Sequence, residues 1–197
     1  MSKRQDILDT AVELFVRQGV DNTPTSQISK VAGVATGTLF HHFHSKDEIL
    51  SALVLDIRES VHAAVMAASG HMADYNYKCR FEAMWLAFIR WAMKHPNQFH
   101  FRTQIESRVN LDEETQRQVD RLQGEFDEIA RQGVEMGLLK PLPIDFLTGF
   151  AHHQGTYITA YFIENPKHFA DDAFRKRCFS CTWDSIAIPE NASKQTN

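Results

Sequence analysis

Apolar residues near the start of the chain recur at spacings of three and four. Ile7, Leu8, Ala11, Val12, Leu14 and Phe15 make one stripe, the pattern of a helix with a single buried face. Gly19 suits the left-handed residue that commonly ends a helix. Thr23-Pro24-Thr25 then reads as a turn with two candidate N-cap hydroxyls, leading into a short amphipathic run, Gln27 to Ala32, that Gly33 stops. A second short helix is predicted from Thr36 to Phe43, with Leu39 and Phe43 inward and Thr38, His41 and His42 outward. Ser45-Lys46-Asp47-Glu48 has the S-x-x-E form of a capping box. From it a long helix carries Ile49, Leu50, Leu53, Val54, Ile57, Val61 and Val65 toward Gly70.

The later helices are delimited by their breakers. Residues 78–94 hold an aromatic and methionine stripe, Phe81, Met84, Trp85, Phe88 and Trp91, ahead of Pro96, and residues 97–108 read as a short helix. Asn110 or Asp112 can cap a long helix that reaches Met136 and ends at Gly137. Pro141 and Pro143 make a rigid joint before residues 144–163, the most apolar helix, which Asn165-Pro166 terminates. A last helix is expected over residues 170–186, then a disordered tail over residues 189–197. No segment shows sustained strand alternation, so the expected fold is all-α with about nine helices.

Composition narrows the class. The chain has 197 residues, 43% of them hydrophobic and 23% charged, which gives a proper core and excludes a low-complexity chain. No run approaches the roughly 18 apolar residues of a membrane span, and Lys3, Arg4 and Asp6 are followed by no signal-type apolar stretch, so a cytoplasmic protein is expected. The three cysteines fit reduced thiols better than a disulfide scaffold. A net charge of −4 argues against nonspecific coating of nucleic acid, yet residues 1–46 sum to +1 while residues 47–197 sum to −5. That asymmetry leaves room for a focused site near the N-terminus.

Two short helices joined by a glycine turn behind a packing helix have the layout of a helix-turn-helix module. The residues Ile7 to Phe15, Gly19, Thr25, Ile28-Ser29, Val31-Ala32-Gly33-Val34, Gly37-Thr38-Leu39-Phe40-His41-His42-Phe43 and Ser45-Lys46-Asp47-Glu48-Ile49-Leu50 resemble the N-terminal domain of the TetR family of transcriptional regulators. The resemblance implies a DNA-binding domain over residues 1–46 and a helical regulatory and dimerisation domain over residues 47–188. It implies a recognition helix at residues 36–43, with Thr25, Ser26, Thr36, Gly37, Thr38, Phe40, His41, His42 and Lys46 as DNA-binding residues. Helix N-termini attract phosphate, and Thr, Ser and Lys donate hydrogen bonds to it. Three positions depart from the family's common pattern. Ser29 stands where Ala is usual, a mild loss of helix propensity. Ala35 replaces a Ser cap, which costs about 0.5–2 kcal/mol unless Thr36 takes over. Phe40 replaces Tyr and lacks its hydroxyl.

A lone module reads DNA weakly, so a homodimer is expected, through residues 144–163 and 170–186. Residues 144–163 offer Phe146, Phe150, Tyr157, Ile158, Tyr161 and Phe162 beside the small Gly149, Gly155 and Ala160. The resemblance further implies a repressor released from a palindromic operator by a small apolar or aromatic effector, for which Trp85, Phe88, Phe126, Phe150, His153 and Tyr157 are candidate contacts. No cofactor and no metal are called for. Two alternatives are a redox- or metal-responsive regulator acting through Cys178 and Cys181, and a helical enzyme using His152 or His153 as base. A single C-x-x-C lacks a second ligand pair, and no nucleophile or phosphate-loop motif accompanies the histidines.

Overall fold

A computed structural model describes residues 2–71 and 76–189, with the backbone alone at His71. Among them run ten α-helices: α1 Lys3–Gln18, α2 Thr25–Val31, α3 Thr36–His42, α4 Lys46–His71, α5 Tyr77–Lys94, α6 Pro96–Gln104, α7 Glu113–Glu135, α8 Ile144–Glu164, α9 Pro166–Ala170 and α10 Asp172–Ile186. A 3-10 turn, Glu106–Arg108, follows α6. The fold is all-α, as the apolar spacing requires. Its single β-type pairing among the described residues is one bridge between Leu139 and Ala187.

Packing separates two compact units that interleave in sequence. The first holds residues up to Ser60 together with His95–Asp120, and the second holds Val61–Lys94 together with the chain from Arg121 onward. The sequence reading divides the chain by function, at residues 46 and 188. In the first unit the α1 stripe is internal, Ile7, Leu8 and Ala11 at 0% exposure, and Ile28, Leu39, Phe43, Ile49 and Leu53 are buried in the same unit. α6 turns its buried Phe99 and Phe101 into this unit and packs on α1, as does α2. The second unit is built on α5, α8 and α10. Within it the α5 stripe meets α10. Phe81 lies 6.2 Å from Phe179 and 5.8 Å from Trp183, and Trp85 makes an edge contact with Phe179 at 5.6 Å, all on α10.

The helix ends show where local chemistry decided the boundaries. Gly19 ends α1 at φ +85°, and Gly33 turns the chain between α2 and α3 at φ +67°. Neither Thr23 nor Thr25 caps α2. Pro24 holds that place, while Thr23 is fully buried and its hydroxyl donates to Gly19 O at 2.7 Å. Asp112, not Asn110, caps α7, accepting from Thr115 N at 2.9 Å. The last helix expected over 170–186 is α10, which begins at Asp172 because Asp171 caps it by accepting from Phe174 N, and α9 precedes it as a separate turn. The short helix expected over 97–108 likewise ends at Gln104, and Glu106–Arg108 follows as the 3-10 turn. The polar tail beyond Pro189 lies outside the described residues.

Candidate nucleic-acid interface

The surface around α3 follows from which of its residues the core takes. Leu39 is fully buried and Phe43, its C-cap, is 3% exposed, so the helix is pinned by one edge. Thr36, Gly37, Phe40 and His41 face solvent, and Thr38 and His42 are half-buried. Phe40, a large apolar ring, leaves 43% of its surface exposed. On α2, Ser26 is exposed and Thr25 half-buried at the helix start. The spacing therefore brings eight of the nine DNA-binding candidates onto the two short helices, and Lys46 opens α4 close by.

Three details differ from expectation. Ala35 occupies the N-cap of α3 in extended backbone with no side-chain hydrogen bond, and Thr36 does not take over the cap. The Thr36 hydroxyl lies 3.4 Å from Ser29 Oγ, which itself donates to Ser26 O at 3.0 Å. Ser29, 2% exposed, thus ties α2 to the start of α3, so its role exceeds a propensity change; nothing in single-residue propensity signals that contact. Lys46 Nζ donates to Val20 O at 2.9 Å and Thr23 O at 3.5 Å, closing the turn after α1 with its ammonium held on that surface.

The electrostatics of this face are unusual for a candidate polyanion contact. From Val31 to Ser45 there is no Lys, Arg, Asp or Glu, so permanent charge comes only from flanking residues. Lys30 and Lys46 lie at either end, and the Arg4 guanidinium sits 5.5 Å from the Phe43 ring in a cation–π contact. His41, His42 and His44 carry the titratable charge within the window. His44 is already engaged: its backbone N–H donates to Glu48 Oε2 at 2.7 Å, and its Nδ1 lies 3.1 Å from the same oxygen. Those bonds, the backbone one first, hold the Glu48 carboxyl below its ordinary range. The capping box is completed by Glu48 N donating to Ser45 Oγ at 3.1 Å, with the carboxylate reaching one residue further back than the motif prescribes.

Of the six effector candidates, two lie on α5, one on α7 and three on α8. Trp85 is buried against α10, and Phe88 stacks near Trp91 and meets His152 edge-on. Phe126 packs edge-on against His62 at 5.6 Å. Phe150, His153 and Tyr157 are exposed on one face of α8 with Phe146, which stacks on Phe150 at 5.7 Å. The spacing 146, 150, 153 and 157 makes this a continuous outer stripe, with Tyr157 76% exposed. Gly155 is on the buried side, where an added Cβ would reach Trp85 at 4.0 Å. Cys178 is half-buried and Cys181 exposed; burial, and then Cys181, push the Cys178 thiol up, away from the reactive thiolate. No cluster of three His, Cys, Asp or Glu able to hold a metal occurs among the described residues. None of their helices is long and apolar enough to cross a membrane.

Comparison with known proteins places these features in a family. Residues 7–53 match the model described as bacterial regulatory proteins, tetR family, and residues 76–187 match the tetracyclin repressor-like C-terminal domain. The chain is 45% identical over 51 residues to the HTH-type transcriptional regulator SrpR of Pseudomonas putida, a match that spans 26% of this chain and only 24% of that regulator's length. It is 26% identical over 143 residues to the regulator BetI of Escherichia coli, spanning 62% of this chain and 73% of BetI. Among solved structures, a tetR family transcription regulator from Shewanella sp. PV-4 superposes with a TM-score of 0.86 at 33% identity, covering 95% of this chain and all of that one. One from Marinobacter aquaeolei VT8 shares the fold at 20% identity and a TM-score of 0.83, over 94% and 95% of the two chains. With two family models matched in tandem and a full-length structural relative at one-third identity, the chain belongs to the TetR family of transcriptional regulators, a family of regulators rather than enzymes.

Proposed function

We propose that this protein is a cytoplasmic repressor that binds a palindromic operator as a homodimer and leaves it when a small-molecule effector binds. The observation that carries the reading is the outward face of α3: Thr36, Gly37, Phe40 and His41 exposed over a fully buried Leu39, the arrangement of a short helix presented to a major groove. Thr25 and Ser26 on α2 and Lys46 on α4 supply backbone contacts, and Thr38, His41 and His42 supply base contacts. The outer stripe of α8, Phe146, Phe150, His153 and Tyr157, is the surface a second copy covers, with α10 beside it. An apolar stripe of this kind marks an interaction site more readily than an ordinary surface does. Phe150, His153 and Tyr157 thereby act in dimerisation, and Trp85 and Phe88 remain the contacts for an apolar part of the effector.

Selection of bound sequences from random duplex DNA by the purified full-length protein tests the reading. A palindromic consensus with half-sites about one helical turn apart, roughly 34–36 Å, is the expected outcome. No enrichment at modest salt overturns it.

A further inference from the structure

The first unit turns its aromatic rings inward, with one exception. Phe15, Phe43, Phe99 and Phe101 are exposed by 3% or less, whereas Phe40, the remaining phenylalanine of the unit, keeps 43% of its surface in water. It stands on α3, three residues after Gly37, and a helical side chain leans back over the turn that precedes it. That turn is open: Gly37 is exposed, and a Cβ added there would meet nothing within 4 Å. The ring and the bare backbone beside it form an apolar step open to close approach. Around this step the side chains that commonly read bases are missing. Residues 31–45 hold no Arg or Lys for guanine, no Asn or Gln for adenine and no Asp or Glu for cytosine. What α3 turns outward instead is Thr36, His41 and the Phe40 ring.

We propose that Phe40 is a specificity-determining residue for DNA binding, its ring reading the C5-methyl group of thymine in the major groove. That methyl is the one apolar feature the four bases present there, and it is met by an apolar side chain rather than by a hydrogen-bonding one. Phe40 lacks the hydroxyl of a tyrosine, so its ring gains only by covering apolar surface. Lys30 and Lys46 bound the same window and attract the phosphate backbone without selecting a sequence, which leaves base choice to the uncharged centre. The operator should therefore hold a thymine opposite Phe40 in each half-site. The inference deepens the proposed function and rests on it, since α3 must enter a major groove for Phe40 to meet a base.

The test takes the duplex that the full-length protein enriches from random DNA and replaces each thymine in turn by deoxyuridine, which removes the methyl and keeps every pairing group. At one thymine per half-site, affinity read by fluorescence anisotropy should fall about fourfold, the loss expected when one methyl stays in water. Replacing both symmetry-related thymines should cost about sixteenfold. The thymine-to-uracil ratio should hold as salt is raised, because no phosphate contact changes. Phe40→Ala should bind the thymine duplex more weakly and bring that ratio to about one, while Phe40→Leu, still apolar, should keep it above one. Phe40 is exposed, so neither variant removes a core side chain, and the uracil arm leaves the protein unaltered. An enriched duplex that tolerates uracil at every thymine overturns the proposal. So does a uracil penalty that persists in Phe40→Ala, which would assign the methyl to another side chain or to DNA shape. If no duplex is enriched at all, the proposed function fails and this reading falls with it, so enrichment tells the two failures apart.

Discussion

Replacing Gly133 by alanine sets two opposed effects against each other within one helix. Alanine is favoured over glycine in a helix interior by about 1 kcal/mol. At Gly133, however, an added Cβ would lie 2.5 Å from the Tyr77 hydroxyl oxygen, 2.6 Å from its Cζ and 2.8 Å from Leu139 Cδ1. Ordinary carbon contacts are about 3.5–4.0 Å, so the overlap approaches 1 Å on two sides. Tyr77 has little freedom to yield: it is 7% exposed, its hydroxyl donates to Ile129 O at 2.8 Å, and its ring lies 6.2 Å from Trp183. Burial also pushes its phenol up to about 12, in keeping with a neutral donor. Overpacking of this kind costs about 1–3 kcal/mol, leaving a net loss of up to about 2 kcal/mol after the helix gain. By calorimetry on the full-length protein Tm should fall, by up to roughly 8 °C. Gly124→Ala, in the same α7 with nothing within 4 Å of the new Cβ, should raise Tm instead. If Gly133→Ala proves as stable as Gly124→Ala, the close approach of Tyr77 is misjudged.

Other substitutions address the functional surfaces. Lys46→Ala should weaken binding to every DNA sequence and lower the slope of log affinity against log salt by about one, whereas Thr38→Ala should change base preference; unchanged DNA binding in both would show that the docking face is elsewhere. Because no permanent charge lies between Val31 and Ser45, DNA affinity should rise as pH falls from about 8 to about 6, and His41→Gln/His42→Gln should flatten that rise in an anisotropy titration. Equal pH dependence in parent and variant would assign it to other groups. Phe150→Asp/Tyr157→Asp changes exposed side chains, so sedimentation should show a folded monomer; a dimer that persists would place the interface on another face. Glu48, with its folded carboxyl held below the ordinary value, stabilises the protein above the carboxylate range, and that contribution disappears as pH falls through the lowered value. Glu48→Gln should therefore narrow the difference in Tm between pH 7 and pH 3, and an unaltered difference would count against the His44 contacts.

What could be read from the chain alone is whatever depends on near neighbours in sequence. The period of Ile7 to Phe15, the buried pair Leu39 and Phe43 four apart, the glycines at 19 and 33 and the Ser45 box are local, and the structure places them where their spacing requires. The family resemblance in residues 4–53 rests on the same local regularities. Contacts between distant segments were decided only by tertiary packing. Nothing in the spacing of residues 95–120 tells that α6 packs on α1 and joins the first unit, because an amphipathic face fixes which side is buried and not against what. For the same reason Trp85 and Tyr157, both aromatic on apolar helices and equal candidates by sequence, part company, one buried on α10 and the other exposed on α8. Ser29 meeting Thr36, Tyr77 filling the notch at Gly133, and Arg58 finding Glu106 across 48 positions are likewise matters of approach in space. Side-chain chemistry sets what each residue can do, but only the folded chain sets which partner it does it with.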